Sequence, residues 1–212
     1  MARRIVIVAA LLICLGVVAT PAQAILVTNF DGFDAGTKVA ADWKLTNFLT
    51  PDLSGQGGPS ATDIGDLNAR VLFNESTNFY TYVFVVTPAP GVLLGFSEFN
   101  TGFNVAGFNG VAGYSSTQAT AAGGITFSIF QDSDGTIDWE RQSGFWSKSN
   151  TPITFFFQSE LGPENGSLYN VLSRSGGAST ISYQPVPEPG TLILLGSGLV
   201  GVAGLRAFRR RR

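Results

Sequence analysis

The sequence predicts an all-β fold, and three observations carry that expectation. Apolar residues come in short β-branched and aromatic runs, several alternating at the period of two that sends successive side chains to opposite faces of a sheet. Turn signals separate the runs: Pro88-Ala89-Pro90-Gly91, Gly123-Gly124, Asp134-Gly135, Gly162-Pro163 and Gly176-Gly177. Between the two chain ends there is no stretch with the apolar stripe of an amphipathic helix.

In chain order the runs are "ILVTNF" (25–30), "RVLFN" (70–74), "NFYTYVFVVT" (78–87), "GVLLGFSEF" (91–99) and "GITFSIF" (124–130). "TIDWE" (136–140), "PITFFFQS" (152–159), "SLYNVL" (167–172) and "STISY" (179–183) follow. Alternation is clearest in the third, where Thr81, Val83 and Val85 face one way and Tyr82, Phe84 and Val86 the other. In the fifth, Ile125, Phe127 and Ile129 oppose Thr126, Ser128 and Phe130. About nine short strands with turn-rich connections predict an antiparallel β-sandwich of the jelly-roll or immunoglobulin-like kind. An α+β arrangement is the alternative, should residues 37–49 ("TKVAADWKLTNFL") form a helix. Residues 49–66 read as a loop, and residues 100–124 have strand-like composition with too many glycines to fix a register.

The chain ends set the compartment. Arg3 and Arg4 precede an apolar run over residues 5–19, and Ala22-Gln23-Ala24 supplies the small residues of a signal-peptidase site. Thr20-Pro21 interrupts the run after about 15 apolar residues, short of the roughly 20 that span a bilayer. Residues 1–24 are therefore expected to be a removable signal helix, and residues 25–184 one β-sandwich body. The single cysteine, Cys14, lies inside the signal, so the mature body must fold on its apolar core without disulfides. Of 13 basic and 15 acidic residues, seven arginines and Glu188 belong to the two ends, leaving 6 basic and 14 acidic residues between them. So acidic a body is not expected to bind nucleic acid.

The chain has no histidine and no cysteine outside the signal, which excludes Ser-His-Asp and Cys-His catalysis and the common zinc sites. There is no G-x-S-x-G elbow and no P-loop. No catalytic residue, metal ligand or cofactor is assigned, and the protein is expected not to be an enzyme, although a glycosidase-like carboxylate pair stays open. Asp132, Asp134 and Asp138 resemble part of a calcium loop, but Phe130 and Arg141 fall where the first ligand and the bidentate glutamate belong. A hairpin turning at Asp134-Gly135 is the stronger reading. Trp43, Trp139, Trp146 and Tyr114 are candidates for stacking on sugars, with Trp146 expected to be the exposed one and core packing the competing account. The sequons at Asn74 and Asn165 are expected at the surface.

At the far end, "PVPEPGTLILLGSGLVGVAGLRAFRRRR" joins a proline-flanked glutamate, an apolar run and arginines. Residues 192–205 would extend about 21 Å as a helix against a hydrocarbon core of about 30 Å, a marginal membrane helix. Arg209, Arg210, Arg211 and Arg212 would hold the cytoplasmic side and place the body outside. Val186, Pro187, Glu188 and Pro189, the apolar run and the arginine block together closely resemble the PEP-CTERM sorting signal over residues 185–212. Gly190 separates Pro189 from Thr191, where many members have Ser or Thr at once. The resemblance implies a bacterial substrate of an exosortase, a membrane-embedded cysteine transpeptidase that cuts near the Pro-Glu-Pro. It implies an exported protein that passes through the inner membrane and then joins the cell surface or extracellular matrix. Such a protein would serve a structural or adhesive role in an exopolysaccharide or biofilm layer; a carbohydrate-binding or glycan-hydrolysing module is the alternative. No body family is recognised.

Overall fold

The computed structural model describes residues 25–51, 61–89, 95–144, 146, 151–173 and 176–186. Eleven strands run β1 (Leu26–Asn29), β2 (Lys38–Leu49), β3 (Asp63–Asn74), β4 (Phe79–Pro88), β5 (Phe96–Thr101) and β6 (Phe108–Tyr114), then β7 (Thr126–Gln131), β8 (Ile137–Ser143), β9 (Ile153–Ser159), β10 (Pro163–Ser173) and β11 (Gly176–Pro185). One short helix, α1 (Ser116–Ala121), joins β6 to β7. The fold is all-β, as the sequence predicts.

The expected pair of separate sheets is replaced by one. All eleven strands lie in a single ladder ordered β1-β6-β9-β4-β3-β2-β11-β10-β5-β8-β7. Its weakest joint is between β2 and β11, which pair only at Ser179 and Leu49. The sheet curls about that joint so that its two halves face each other across one core. Phe99 of β5 packs at 5.9 Å from Phe84 of β4 and 5.0 Å from Phe155 of β9. The ends approach as well: the Trp139 indole of β8 donates to the Gly113 carbonyl of β6 at 3.0 Å, and the Phe127 amide of β7 to the Tyr114 hydroxyl at 3.4 Å. The result is a nearly closed, barrel-like sheet, in which few strand edges remain open.

Sequence pattern explains the central strands. In β4, Tyr82, Phe84 and Val86 are fully buried in the core. Neighbouring β9 is buried on both faces, which is why it reads as the continuous run Ile153–Ser159 instead of alternating. Its outward Phe156 lies under Phe30 and Phe33, with ring centroids 5.4 and 4.5 Å away. Those rings belong to the segment after β1, which pairs in parallel with β6 at Thr28 and Gly113. A Cβ at Gly113 would collide with the Thr28 carbonyl and the Phe156 ring, so only glycine lets β1 lie so close.

The structure also decides the α+β alternative, trims the expected loop and assigns the region left without a register. Residues 37–49 do not form a helix: Lys38–Leu49 is a 12-residue strand. Its register with β3 shifts between Val39 and Ala41, between Ala41 and Lys44, and between Phe48 and Leu49. Such bulges break the period of two that would have announced a strand. The expected loop over 49–66 is shorter at both ends, because Leu49 closes β2 and β3 opens at Asp63. The glycine-rich 100–124 segment holds β6 and α1. The signal and membrane helices fall on residues outside those described; among the described residues no helix is long and apolar enough to cross a membrane.

Candidate functional site

The tail resemblance directs attention to the place where the body ends. Strand β11 pairs along its whole length with β10, from Gly176 opposite Ser173 to Pro185 opposite Pro163. Past the strand, the Val186 amide donates to the Gly162 carbonyl at 3.2 Å. Val186 is thus tied into the sheet at the turn between β9 and β10, and the first residue of the predicted Val186-Pro187-Glu188-Pro189 motif follows β11 without a spacer. Pro187, Glu188 and Pro189, the arginines Arg209 to Arg212, and Ala22 and Ala24 of the signal lie outside the described residues. Strand β11 itself ends at Pro185.

That end of the body is held firmly. The Tyr82 hydroxyl donates to the Leu161 carbonyl at 3.0 Å, and the Leu161 amide donates to the Ser159 hydroxyl at 3.0 Å. Lys44 donates to Asn165 at 2.9 Å and sits 5.7 Å from the Tyr183 ring, while the Tyr183 hydroxyl donates to the Asp42 carbonyl at 2.9 Å. Side chains thus bridge β2 to β10 and β11 near the motif, and farther along the backbones of β2 and β11 meet at Leu49 and Ser179. A shallow groove of about 650 Å³ along this joint is lined by Thr46, Leu49, Leu168 and Ile181 among others.

At residues 131–140 the hairpin reading describes the backbone. The Asp132 amide donates to the Thr136 carbonyl at 3.0 Å, and Gly135 takes φ +87°, a conformation open to glycine. Asp134 accepts from the Thr136 amide at 3.0 Å and its hydroxyl at 2.8 Å, which lowers its pKa. Asp138 does not join it at the tip. Its side chain is only 5 % exposed beside β5, and burial first, then the Glu98 carboxylate and the hairpin aspartates, pushes its pKa up to about 7. Among the described residues, no group of three His, Cys, Asp or Glu side chains is arranged to hold a metal ion.

The aromatic candidates sort differently from the sequence expectation. Trp146, expected at the surface, is fully buried; its indole donates to the Thr151 carbonyl at 3.3 Å and its ring packs 5.3 Å from Phe96. Polar neighbours in sequence misled because the residue forms a bridge with Phe96 and turns inward. Trp139 is also fully buried, and Tyr114 is half-buried against Phe127 at 5.0 Å. Only Trp43 is open, at 45 % exposure, with the Arg70 guanidinium 5.4 Å over its ring. Asn74, expected outside, is 5 % exposed and accepts from the amides of Ser76 and Thr77, so it builds the turn after β3. Asn165 is at the surface.

Comparison with known families places the PEP-CTERM protein-sorting motif at residues 185–212. No curated protein and no solved structure is significantly similar to the chain. The motif begins at Pro185, the last residue of β11, and implies processing by an exosortase and export to the cell surface.

Proposed function

We propose that this protein is a non-enzymatic structural or adhesive component of the extracellular layer, delivered there by exosortase processing. In this reading signal peptidase removes residues 1–24, the C-terminal helix holds the body at the inner membrane, and the exosortase releases it near Pro187-Glu188-Pro189. The body then joins an exopolysaccharide or biofilm matrix. The observation that carries the reading is the sorting motif beginning at the last residue of a fully paired strand. The described body runs up to Val186, so in this reading the proline-flanked segment follows it in the chain with no intervening linker residues. The absence of histidine and of a mature cysteine is consistent with that reading in so far as it leaves no Ser-His-Asp or Cys-His machinery.

A carbohydrate-binding role is the second reading, and Trp43 favours it as the one exposed indole among the described tryptophans. A hydrolytic role has less support. Glu98 and Asp138 are within hydrogen-bonding reach of each other, whereas glycosidase carboxylates stand about 5–9.5 Å apart to flank the bond they break.

Intact-mass and terminal-peptide analysis of the protein from cells with and without the exosortase tests the sorting reading. The expected mature form begins at Ile25 and lacks Arg212 only when the enzyme is present. A form in normal cells that begins at Ile25 and keeps Arg212 overturns it.

A further inference from the structure

Strands β5 and β8 carry an unusual concentration of negative charge on the face turned away from the core. Three residue pairs join them: Glu98 with Glu140, Phe99 with Trp139, and Asn100 with Asp138. Phe99 and Trp139 point into the core and are fully buried, so Glu98, Glu140, Asn100 and Asp138 share the opposite face. Like charges directly opposite each other weaken a ladder. Here Glu98 faces Glu140, and Asp138 is the next residue on that face.

Asp138 makes the arrangement more than an acidic cluster. It is 5 % exposed, and its Oδ2 is buried without a hydrogen-bond partner. The Glu98 carboxylate lies within hydrogen-bonding reach of it. Glu98 itself is fixed, because Asn100 Nδ2 donates to Glu98 Oε1. Asn100 is held in turn: its Oδ1 accepts from Asn170 Nδ2 at 3.0 Å, and Asn170 Oδ1 accepts from the Ser179 hydroxyl at 2.7 Å. A row of side chains across β11, β10 and β5 thus anchors one carboxylate against another whose buried oxygen lacks a donor. A buried ionised oxygen without a partner is costly, and a bound cation removes that cost.

We infer that Asp138 and Glu98 form a binding site for a hard divalent cation, magnesium or calcium, with water completing the shell. Two carboxylates suffice for an ion that keeps much of its hydration, and extracellular sites of this class bind weakly. The ion would cross-link β5 to β8 where charge otherwise pushes them apart, fastening the β7–β8 hairpin to the rest of the sheet. Asp132 and Asp134, the residues that resemble a calcium loop in sequence, lie outside the ligand set. Asp134 is already engaged by Thr136.

Thermal unfolding of the full chain in detergent at pH 8, after chelation, tests the site with calcium chloride, magnesium chloride or sodium chloride at matched ionic strength. At ten times the dissociation constant, one divalent salt should raise the midpoint by about 3–6 °C over sodium chloride, and the rise should saturate. Asp138→Asn and Glu98→Gln should each lose the response, while Asp134→Asn keeps it. If Asp138→Asn does not fold, Glu98→Gln decides alone. Equal midpoints in all three salts, or a response that survives in the folded variants, overturn the site.

Discussion

At the scale of single residues, short polar side chains hold the N-terminal segment in place. The Asp31 carboxylate accepts from the Ser115 hydroxyl at 2.6 Å, the Thr117 amide at 2.8 Å and the Ser116 hydroxyl at 3.3 Å. Asn29 accepts from the Ser116 amide at 3.0 Å. The segment after β1 is thereby fastened to the start of α1, and the Phe30 and Phe33 rings are held over Phe156. The hydrogen bonds, that from Ser115 above all, lower the Asp31 pKa to about 2 against an ordinary 3.8. A carboxylate with a depressed folded-state pKa stabilises the fold at every pH above the unfolded value, and that contribution disappears as pH falls through the folded value. Asp31→Asn should therefore narrow its stability gap to the parent as pH drops from about 4 to 2. Urea midpoints measured across that window check it. A gap that stays constant would mean that the Asp31 charge contributes nothing through these bonds. None of this is legible in the sequence, because Asp31 and Ser115 are 84 positions apart.

At the scale of elements, legibility followed the regularity of pairing. Strand β4 keeps an unbroken register with both β3 and β9, and its alternation is plain in the sequence. β2 is bulged, and its outward side carries Leu45 and Leu49 at 65 % and 47 % exposure, so neither polarity nor period marked it as a strand. β6 was hidden by glycines that the close approach of β1 requires, as at Gly113. Of the sorting motif, by contrast, almost everything was legible, since its recognition rests on order and spacing along the chain and not on contacts. The same irregularity predicts where the sheet is weakest. β2 meets β11 through one residue pair, while β4 meets β9 through seven. Amides protected by few cross-strand bonds open locally at lower free energy. Hydrogen exchange should be faster at those amides of Thr46–Leu49 and Ser179–Ile181 that face the joint, the others being paired with β3 and β10, than at Val83–Val86 and Phe155–Phe157. Equal protection would show that the joint is closed in solution.

At the scale of the whole molecule, the question is whether a sheet joined so thinly unfolds in one step. One half, β1-β6-β9-β4-β3-β2, carries Phe48, Phe84 and Phe155; the other, β11-β10-β5-β8-β7, carries Phe99, Tyr169 and Trp139. These rings form one cluster: Tyr169 lies 4.7 Å from Phe84, Phe99 lies 6.4 Å from Phe48, and Trp139 lies 5.8 Å from Phe155. Separating the halves would expose several aromatic rings, at about 1.5–3 kcal/mol for each large apolar side chain. That sum is comparable with the entire stability of an ordinary domain, about 5–15 kcal/mol. The shared core therefore outweighs the thin backbone joint, and the two halves should unfold together. Trp139 and Trp146 lie on one side of the joint and report its unfolding by fluorescence once the exposed Trp43 is replaced by Phe, while far-ultraviolet circular dichroism reports all eleven strands. In guanidinium the two signals should share one midpoint and one slope. A fluorescence transition that precedes the loss of strand signal would mean that the β5-β8-β7 region melts first. The aromatic contacts between the halves would then be too weak to bind the curled sheet into a single cooperative unit.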